Sequence, residues 1–402
     1  MERQNTEKNV DEALLDCIDR MKGRMIDSVL RMVRINSVES GALPGAPFGH
    51  GVKKALDCAL SISGELGFET VNVDDYIGYA QYGRGEDYVC AMGHVDVVPA
   101  GEGWRQPPFS GYMEDGIIYS RGVLDNKGPV MACLYGLAAI RELGLPLKHP
   151  VRIIFGCDEE TGFEDLKYYL TKEKPPLYGF TPDCKYPVVY SERGRAVVRI
   201  YGDPGRLEAF FDFINMYFIG AKSTGDRLGI DYYHEEYGMM EMRGYRLGVE
   251  DMGGPVIDRP DVDRPDNWGP DPRKDKVYFD VTLSYPGGSS IEEIVEKIRQ
   301  RAVMDGLTVS LIQNYDPVVF ARDTPMVKAM QESYEKVTGM DGTPVTTTGG
   351  TYAKAMPGIV PFGPSFPGQK GISHNPNEWM SAEDLVSNAK IYALALYRLG
   401  QL

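Results

Sequence analysis

Residues 151–171 read VRIIFGCDEETGFEDLKYYLT. The apolar run Val151 to Gly156 has the length of a buried strand, the acids Asp158, Glu159 and Glu160 follow it at once, and Glu164 to Thr171 reads as a helix. Strand, acidic turn and helix in that order predict an α/β sheet with chemistry at the carboxyl ends of its strands, where ligands of open α/β sheets bind.

The same alternation extends outward. Residues 11–35 carry apolar side chains at a helical period, and Gly51 to Leu66 reads as a second helix stopped by Gly67. Glu69 to Val73, Ile77 to Tyr82 and Tyr88 to Val98 read as strands, and Gly128 to Leu143 as an apolar helix. From about Arg195 the texture changes. Arg195 to Tyr201 and Val277 to Tyr285 read as strands, Leu207 to Phe218 and Ser290 to Ala302 as helices, and Gly253 to Lys274, rich in Pro, Asp and Arg, as a long loop. After Asn314 the core-like pattern returns with a helix at Pro325 to Val337, a strand at Ile359 to Phe362 and a closing helix at Ala382 to Leu399. A smaller insert that splits one larger domain accounts for this order.

With 402 residues the chain exceeds the roughly 250–300 at which a single core stops growing, which also favours two domains. A net charge of −15 argues against nucleic acid and anionic membrane as partners, because both would be repelled. The charged N-terminal stretch lacks the apolar core of a signal peptide and no later run is long enough to span a membrane, so a cytoplasmic location is expected. The six cysteines lie in apolar runs without a C-x-x-C pair, as expected of reduced, packed thiols.

Three further segments carry candidate chemistry. His94-Val-Asp96 follows an apolar strand, which places an imidazole beside a carboxylate able to orient it; a structural histidine would read the same way. Asp125 sits in a turn before an apolar helix, where it could cap the helix or bridge two cations. The acids at 158–160 are either solvated or compensated by metal; on the second reading one carboxylate binds the cation and its neighbour takes a proton from water. Asp183 and His374 complete a donor set of nitrogen and oxygen that suits zinc, with manganese or cobalt as substitutes.

Taken together, MGHVDVVPAGEGW (92–104), FSGYMEDGIIYSRGVLDNKGP (109–129), GCDEETGFEDLKYY (156–169), TPDCKYPVVYSERG (181–194) and GGTYAKAMPGIVPFG (349–363) with SHNPNEWMSAEDL (373–385) resemble a known family. It is the dinuclear zinc metallopeptidases that include aminoacylase, carnosinase and succinyl-diaminopimelate desuccinylase, and the likeness is greatest to bacterial dipeptidases of the peptidase V type. The resemblance implies a zinc-peptidase catalytic domain with a central mixed sheet flanked by helices, at 1–195 and 315–402, interrupted by a smaller α+β lid at 196–314. It implies two zinc ions, one held by His94 and Asp183, the other by Glu160 and His374, with Asp125 between them. Asp96 would orient His94, and Glu159 would be the general base acting on water in hydrolysis of a dipeptide. Gly349, Gly350 and Thr351 would contact the substrate. The expected partner is a small peptide, and the protein is expected to be a monomer or homodimer.

The chain also departs from the pattern. Dipeptidases of this type are usually longer, and the missing length falls in the insert. The Gly-x-x-Ala-His-Gly-Ser motif expected after Gly194 is absent from the sequence, and His234, the one histidine left in the insert, reads as a surface residue. Ser284 stands in Leu-Ser-Tyr-Pro where the family commonly has an arginine for the substrate's terminal carboxylate. These departures keep two alternatives open: a metal-binding relative with weakened catalysis and a ligand-binding or regulatory role, or an amidohydrolase acting on N-acyl amino acids.

Overall fold

The computed structural model describes residues 2–251 and 275–402, so the loop expected at Gly253 to Lys274 lies outside the described residues. The chain divides into two compact units. The first comprises Met1–Ser191, Phe320–Val345 and Thr351–Leu402, the second Glu192–Val319 and Thr346–Gly350.

In the first unit, strands β1 (Glu69–Val73), β2 (Ile77–Tyr82), β3 (Val89–His94), β4 (Val151–Gly156) and β5 (Tyr178–Thr181) join Ile359–Pro361 in one six-stranded sheet. Its order is β1-β2-β4-β3-β5 followed by Ile359–Pro361. β1, β2 and β4 pair antiparallel, and β4, β3, β5 and Ile359–Pro361 pair parallel, so the sheet is mixed as expected. β3 and β4 are buried along their whole length, which explains why they read as continuous apolar runs rather than as alternation.

Helices Glu2–Val33, Lys127–Glu142, Pro325–Thr338 and Ala382–Leu399 share one apolar core with the sheet. Lys127–Glu142 is buried from Lys127 to Ile140, so it lacks the polar stripe of a surface helix. None of the six cysteines forms a disulfide. No helix among the described residues is long and apolar enough to cross a membrane.

The second unit has its own core around an antiparallel sheet of β6 (Gly194–Gly202), β7 (Glu241–Asp251), β8 (Asp275–Tyr285) and β9 (Thr308–Tyr315), in the order β7-β8-β6-β9. Ala196, Val198, Ile200, Val281 and Leu283 face a core that also contains Phe210, Phe213, Ile294 and Ile298, from the helices Leu207–Ile214 and Ile291–Ala302. By the two-residue period the opposite face carries Arg195, Arg199, Asp280, Thr282 and Ser284.

Candidate metal centre

The five residues expected at the metals, the expected base Glu159 and the orienting Asp96 all lie in the first unit. Two strand ends position the first of them. His94 is the last residue of β3, and Glu159 and Glu160 come three and four residues after β4, which pairs with β3 through His94 and Gly156. Glycines allow the close approach there. A Cβ on Gly93 would meet Asn126 Oδ1 at 2.3 Å, and one on Gly156 would meet Tyr352 Oη at 2.0 Å.

The His94 ring is fully buried. Its Nδ1 lies 3.0 Å from the Asp96 carbonyl oxygen and 3.3 Å from Asp96 Oδ1, while Nε2 lies 3.0 Å from Asp125 Oδ1 and 3.7 Å from Asp183 Oδ2. Oxygen faces both ring nitrogens, which suits a protonated imidazole or a neutral one with a cation on Nε2. Asp96 works twice, since its Oδ2 also accepts the Glu160 backbone N–H at 3.1 Å.

Asp125 does not cap the helix that follows. The N-cap is Asn126, whose amide donates instead to the Pro182 carbonyl at 2.6 Å and to Asp183 Oδ1 at 3.3 Å. The Asp125 carboxylate is left to the imidazoles, with Oδ1 at 3.0 Å from His94 and Oδ2 at 3.1 Å from His374. His374 Nε2 also lies 3.1 Å from Glu160. Its backbone is held at φ 62°, a conformation unusual for a residue with a side chain and one found where function fixes geometry.

Two overlapping trios emerge. The ligand atoms of His94, Asp125 and Glu160 all lie within 4.8 Å of one another, as do those of His94, Glu159 and Asp183. The electrostatics show the strain of crowding carboxylates. Burial, then the nearby Asp183, pushes the Glu159 carboxyl well above its usual range, and burial, then Asp125, does the same to Asp183. Burial opposes charge on His94, but Asp96, Asp125 and Asp183 outweigh it and raise its proton affinity. Asp125 and Glu160 push His374 up to about 11. Protons on these groups now balance charge that divalent cations could balance instead, so the donor set fits a pair of such ions.

Two buried acids that the sequence reading passed over hold these loops in place. Glu378 Oε1 accepts N–H from Leu124 and Asp125, at 2.9 and 3.1 Å, and Oε2 accepts from Gly122 at 3.1 Å and from the Arg121 guanidinium at 2.7 Å. Asp165 accepts from the Cys157 and Asp158 amides and from the Tyr352 hydroxyl. Glu378 stands four residues after His374, in a segment already quoted for the resemblance, which was the available signal.

The three residues expected to contact substrate divide between the units. Thr351 is buried in the first unit, where its hydroxyl accepts the Ala353 N–H, whereas Gly349 and Gly350 belong to the second unit. His234 stacks on Tyr237 in the second unit and accepts the Glu236 N–H.

Residues 90–398 match the family described as Peptidase family M20/M25/M40. The chain belongs to that family. It is therefore a hydrolase of the metallopeptidase class, as the sequence motifs led us to expect. A Bacillus subtilis (strain 168) protein named "Putative dipeptidase YtjP" is 29% identical over 462 positions covering 95% of this chain and 98% of its own. The alignment is longer than the 402-residue chain, so it contains gaps opposite this sequence. Human carnosine dipeptidase 1 has a similar fold, with a TM-score of 0.70 at 17% identity over 98% of this chain and 99% of that one. The Bacillus subtilis YXEP protein, described as a dinuclear metal binding peptidase from the M20 family, gives a TM-score of 0.59 at 14% identity, covering 95% and 99%.

Proposed function

We propose that the chain is a zinc-dependent dipeptidase in which His94 and Asp183 hold one ion, Glu160 and His374 the other, and Asp125 lies between the two. The observation that carries this reading is the placement of Asp125, whose two carboxylate oxygens face imidazoles from separate parts of the chain at 3.0 and 3.1 Å. The dinuclear description of YXEP and the dipeptidase name of the Bacillus relative support it. The donor set of imidazole and carboxylate suits zinc, and also manganese or cobalt.

When bound, such a pair supplies Lewis acidity to the scissile carbonyl and lowers the pKa of water from ~16 toward ~7. Glu159 takes the proton from the attacking water and delivers it to the leaving amine. Its position supports that role, because Glu159 directly precedes Glu160 and its carboxylate lies within 4.8 Å of the ligand atoms of His94 and Asp183. Asp96 is the positioning residue, holding the His94 ring from its Nδ1 side and the Glu160 backbone at the same time.

The test is metal analysis beside a dipeptide assay for wild type and Glu159→Gln. Two equivalents of zinc in both proteins, with turnover reduced by about 10²–10⁴-fold in the variant, is the expected result. Full activity in Glu159→Gln would remove the base assignment, and a folded protein that takes up no zinc or manganese would remove the metal assignment.

A further inference from the structure

The first unit holds a cavity of about 460 Å³ beside the metal centre, with Val38, Glu39, Pro47, Val97, Val98 and Glu160 in its lining. One wall is a loop after the helix Glu2–Val33 that is pinned to the chain leaving β3. The Val97 N–H donates to the Ser37 carbonyl at 3.1 Å, the buried Ser37 hydroxyl donates to the Val95 carbonyl at 2.6 Å, and Val38 bridges Val97 in parallel. Further along, Leu43 and Ala46 exchange backbone hydrogen bonds, and the Ser40 N–H donates to the Phe48 carbonyl at 3.2 Å. Glu39 therefore stands on fixed backbone, one residue past the bridge. Glu160, proposed above as a metal ligand, belongs to the same lining, so the cavity borders the reaction centre.

The charge in this cavity is unbalanced. Its lining contains three carboxylates, Glu39, Asp96 and Glu160, and no lysine or arginine. Two of the three are committed: Asp96 faces His94 Nδ1 with Oδ1 and accepts the Glu160 N–H with Oδ2, and Glu160 faces His374 at 3.1 Å. Glu39 differs. It is half-buried, and its carboxylate has neither a hydrogen bond nor an ion pair among the described residues. A carboxylate held against apolar walls is poorly solvated, and a cation brought to it gains a charge-assisted bond. A divalent metal is a poor match, because Glu39 belongs to neither group of donors close enough to share an ion. Val38, Pro47, Val97 and Val98 suit a hydrocarbon stem instead, which describes a cation at the end of an aliphatic chain.

We propose that this cavity is a specificity pocket for a lysine or arginine side chain of the peptide, with Glu39 pairing the terminal cation and the valine and proline walls covering the stem. The proposal rests on the dipeptidase reading, since it needs a peptide held at the metals. The peptide's own α-ammonium fits less well, because it has no stem to cover the apolar walls.

The test compares Lys-Ala and Ala-Lys with norleucyl-Ala and Ala-norleucine, which keep the stem and lack the ammonium, in wild type and in Glu39→Gln. Glu39 has no partner to lose, so the substitution does not threaten folding. In wild type, kcat/KM at least tenfold higher for the lysine peptide than for its norleucine counterpart in one of the two positions is expected, carried by KM; in Glu39→Gln that ratio should fall to about twofold or less. Equal values for lysine and norleucine peptides in wild type, or a lysine preference that survives Glu39→Gln, overturns the pocket. An equal loss for lysine and norleucine peptides in Glu39→Gln overturns it in favour of Glu39 pairing the α-ammonium. Calorimetry of the same four peptides with the Glu159→Gln protein, alone and combined with Glu39→Gln, reads binding without relying on turnover, and the same ratios are expected. If wild type hydrolyses no peptide, the dipeptidase reading falls, while a lysine preference in binding that depends on Glu39 keeps the pocket and its absence overturns it.

Discussion

In the first unit the candidate ligands hang from loops just beyond strand ends, whereas in the second the arginines stand on the face of a sheet. The loops need to be held from behind, and two buried acids do this by accepting backbone N–H groups: Glu378 for residues 122–125 and Asp165 for residues 157–158. The sheet face needs no such support, because ladder hydrogen bonds already fix Arg195, Arg243 and Ser284 in register. Damage should therefore spread differently in the two regions. Removing a support acid should disturb fold and metal binding together, while removing an ion-paired arginine from the sheet should change stability alone.

The largest effect is expected from Glu378→Ala. It strips the acceptor from three backbone donors and leaves the Arg121 guanidinium, itself buried, without its ion pair. Breaking a buried pair from one side costs about 3–5 kcal/mol. Disturbing a group that orients metal ligands costs about 10–100-fold in metal affinity. Denaturant unfolding and zinc titration on the same preparation check both. Wild-type stability with wild-type zinc affinity would show that the 122–125 loop supports itself, and the contrast between the two regions would fall.

Proton uptake provides a second way to sharpen the contrast. His374, with its pKa pushed up to about 11, carries a proton near neutrality in the metal-free protein and must lose it from Nε2 for that nitrogen to bind a cation, while the carboxylates around His94 raise its proton affinity in the same direction. Because the folded His374 pKa lies above neutrality, raising the pH from 6 to 8 removes competition, and affinity should climb by about tenfold per pH unit for the proton displaced there. Zinc titrations in two buffers of different ionisation enthalpy would measure the protons released. The Arg199 ion pairs of the second unit should show no such dependence over the same range, since guanidinium groups do not titrate there.

How much of this was legible in the sequence follows the same division. β3 and β4 are unbroken apolar runs, so His94 and the acids after Gly156 could be placed at strand ends from the sequence alone. The expected strand past His94 was too long, because pairing with β4 stops there and the chain turns so that Asp96 can reach back. β7 and β9 went unread. In β7 a register shift between Arg243 and Tyr245, at Gly244, breaks the alternation that would mark a strand, and Tyr245, Leu247 and Val249 are exposed on an edge. Glu378 was hidden for a different reason: a glutamate in a polar loop looks solvated until the backbone donors around it are known. The Glu39 cavity has no linear motif at all, since its walls come from residues 38–42 and 47, 96–99 and 160–161 and meet only in the fold. Ser284 appeared in the sequence as a lost arginine, and on β8 it pairs with Arg195 of β6.

The smallest effect expected is within the second unit, on the same sheet face. Arg199 follows Arg195 by four residues on β6, but it is already neutralised: its Nε and Nη2 bond Asp280 at 2.7 and 2.9 Å, Nη1 bonds Glu250 at 2.7 Å, and its guanidinium lies 3.8 Å over the Tyr278 ring. Two acids on one arginine make this group an internal ion cluster. Arg199→Met should lower stability by about 1–2 kcal/mol, the lower part of the range for a partly buried, charge-assisted pair, and leave zinc affinity within about twofold of wild type. Arg195→Ala, at an exposed side chain, should leave thermal unfolding unchanged. If Arg199→Met lowered zinc affinity as much as Glu378→Ala, damage would not stay in the unit where it was made, and the distinction between loops held from behind and a sheet face held by its own ladder would not stand.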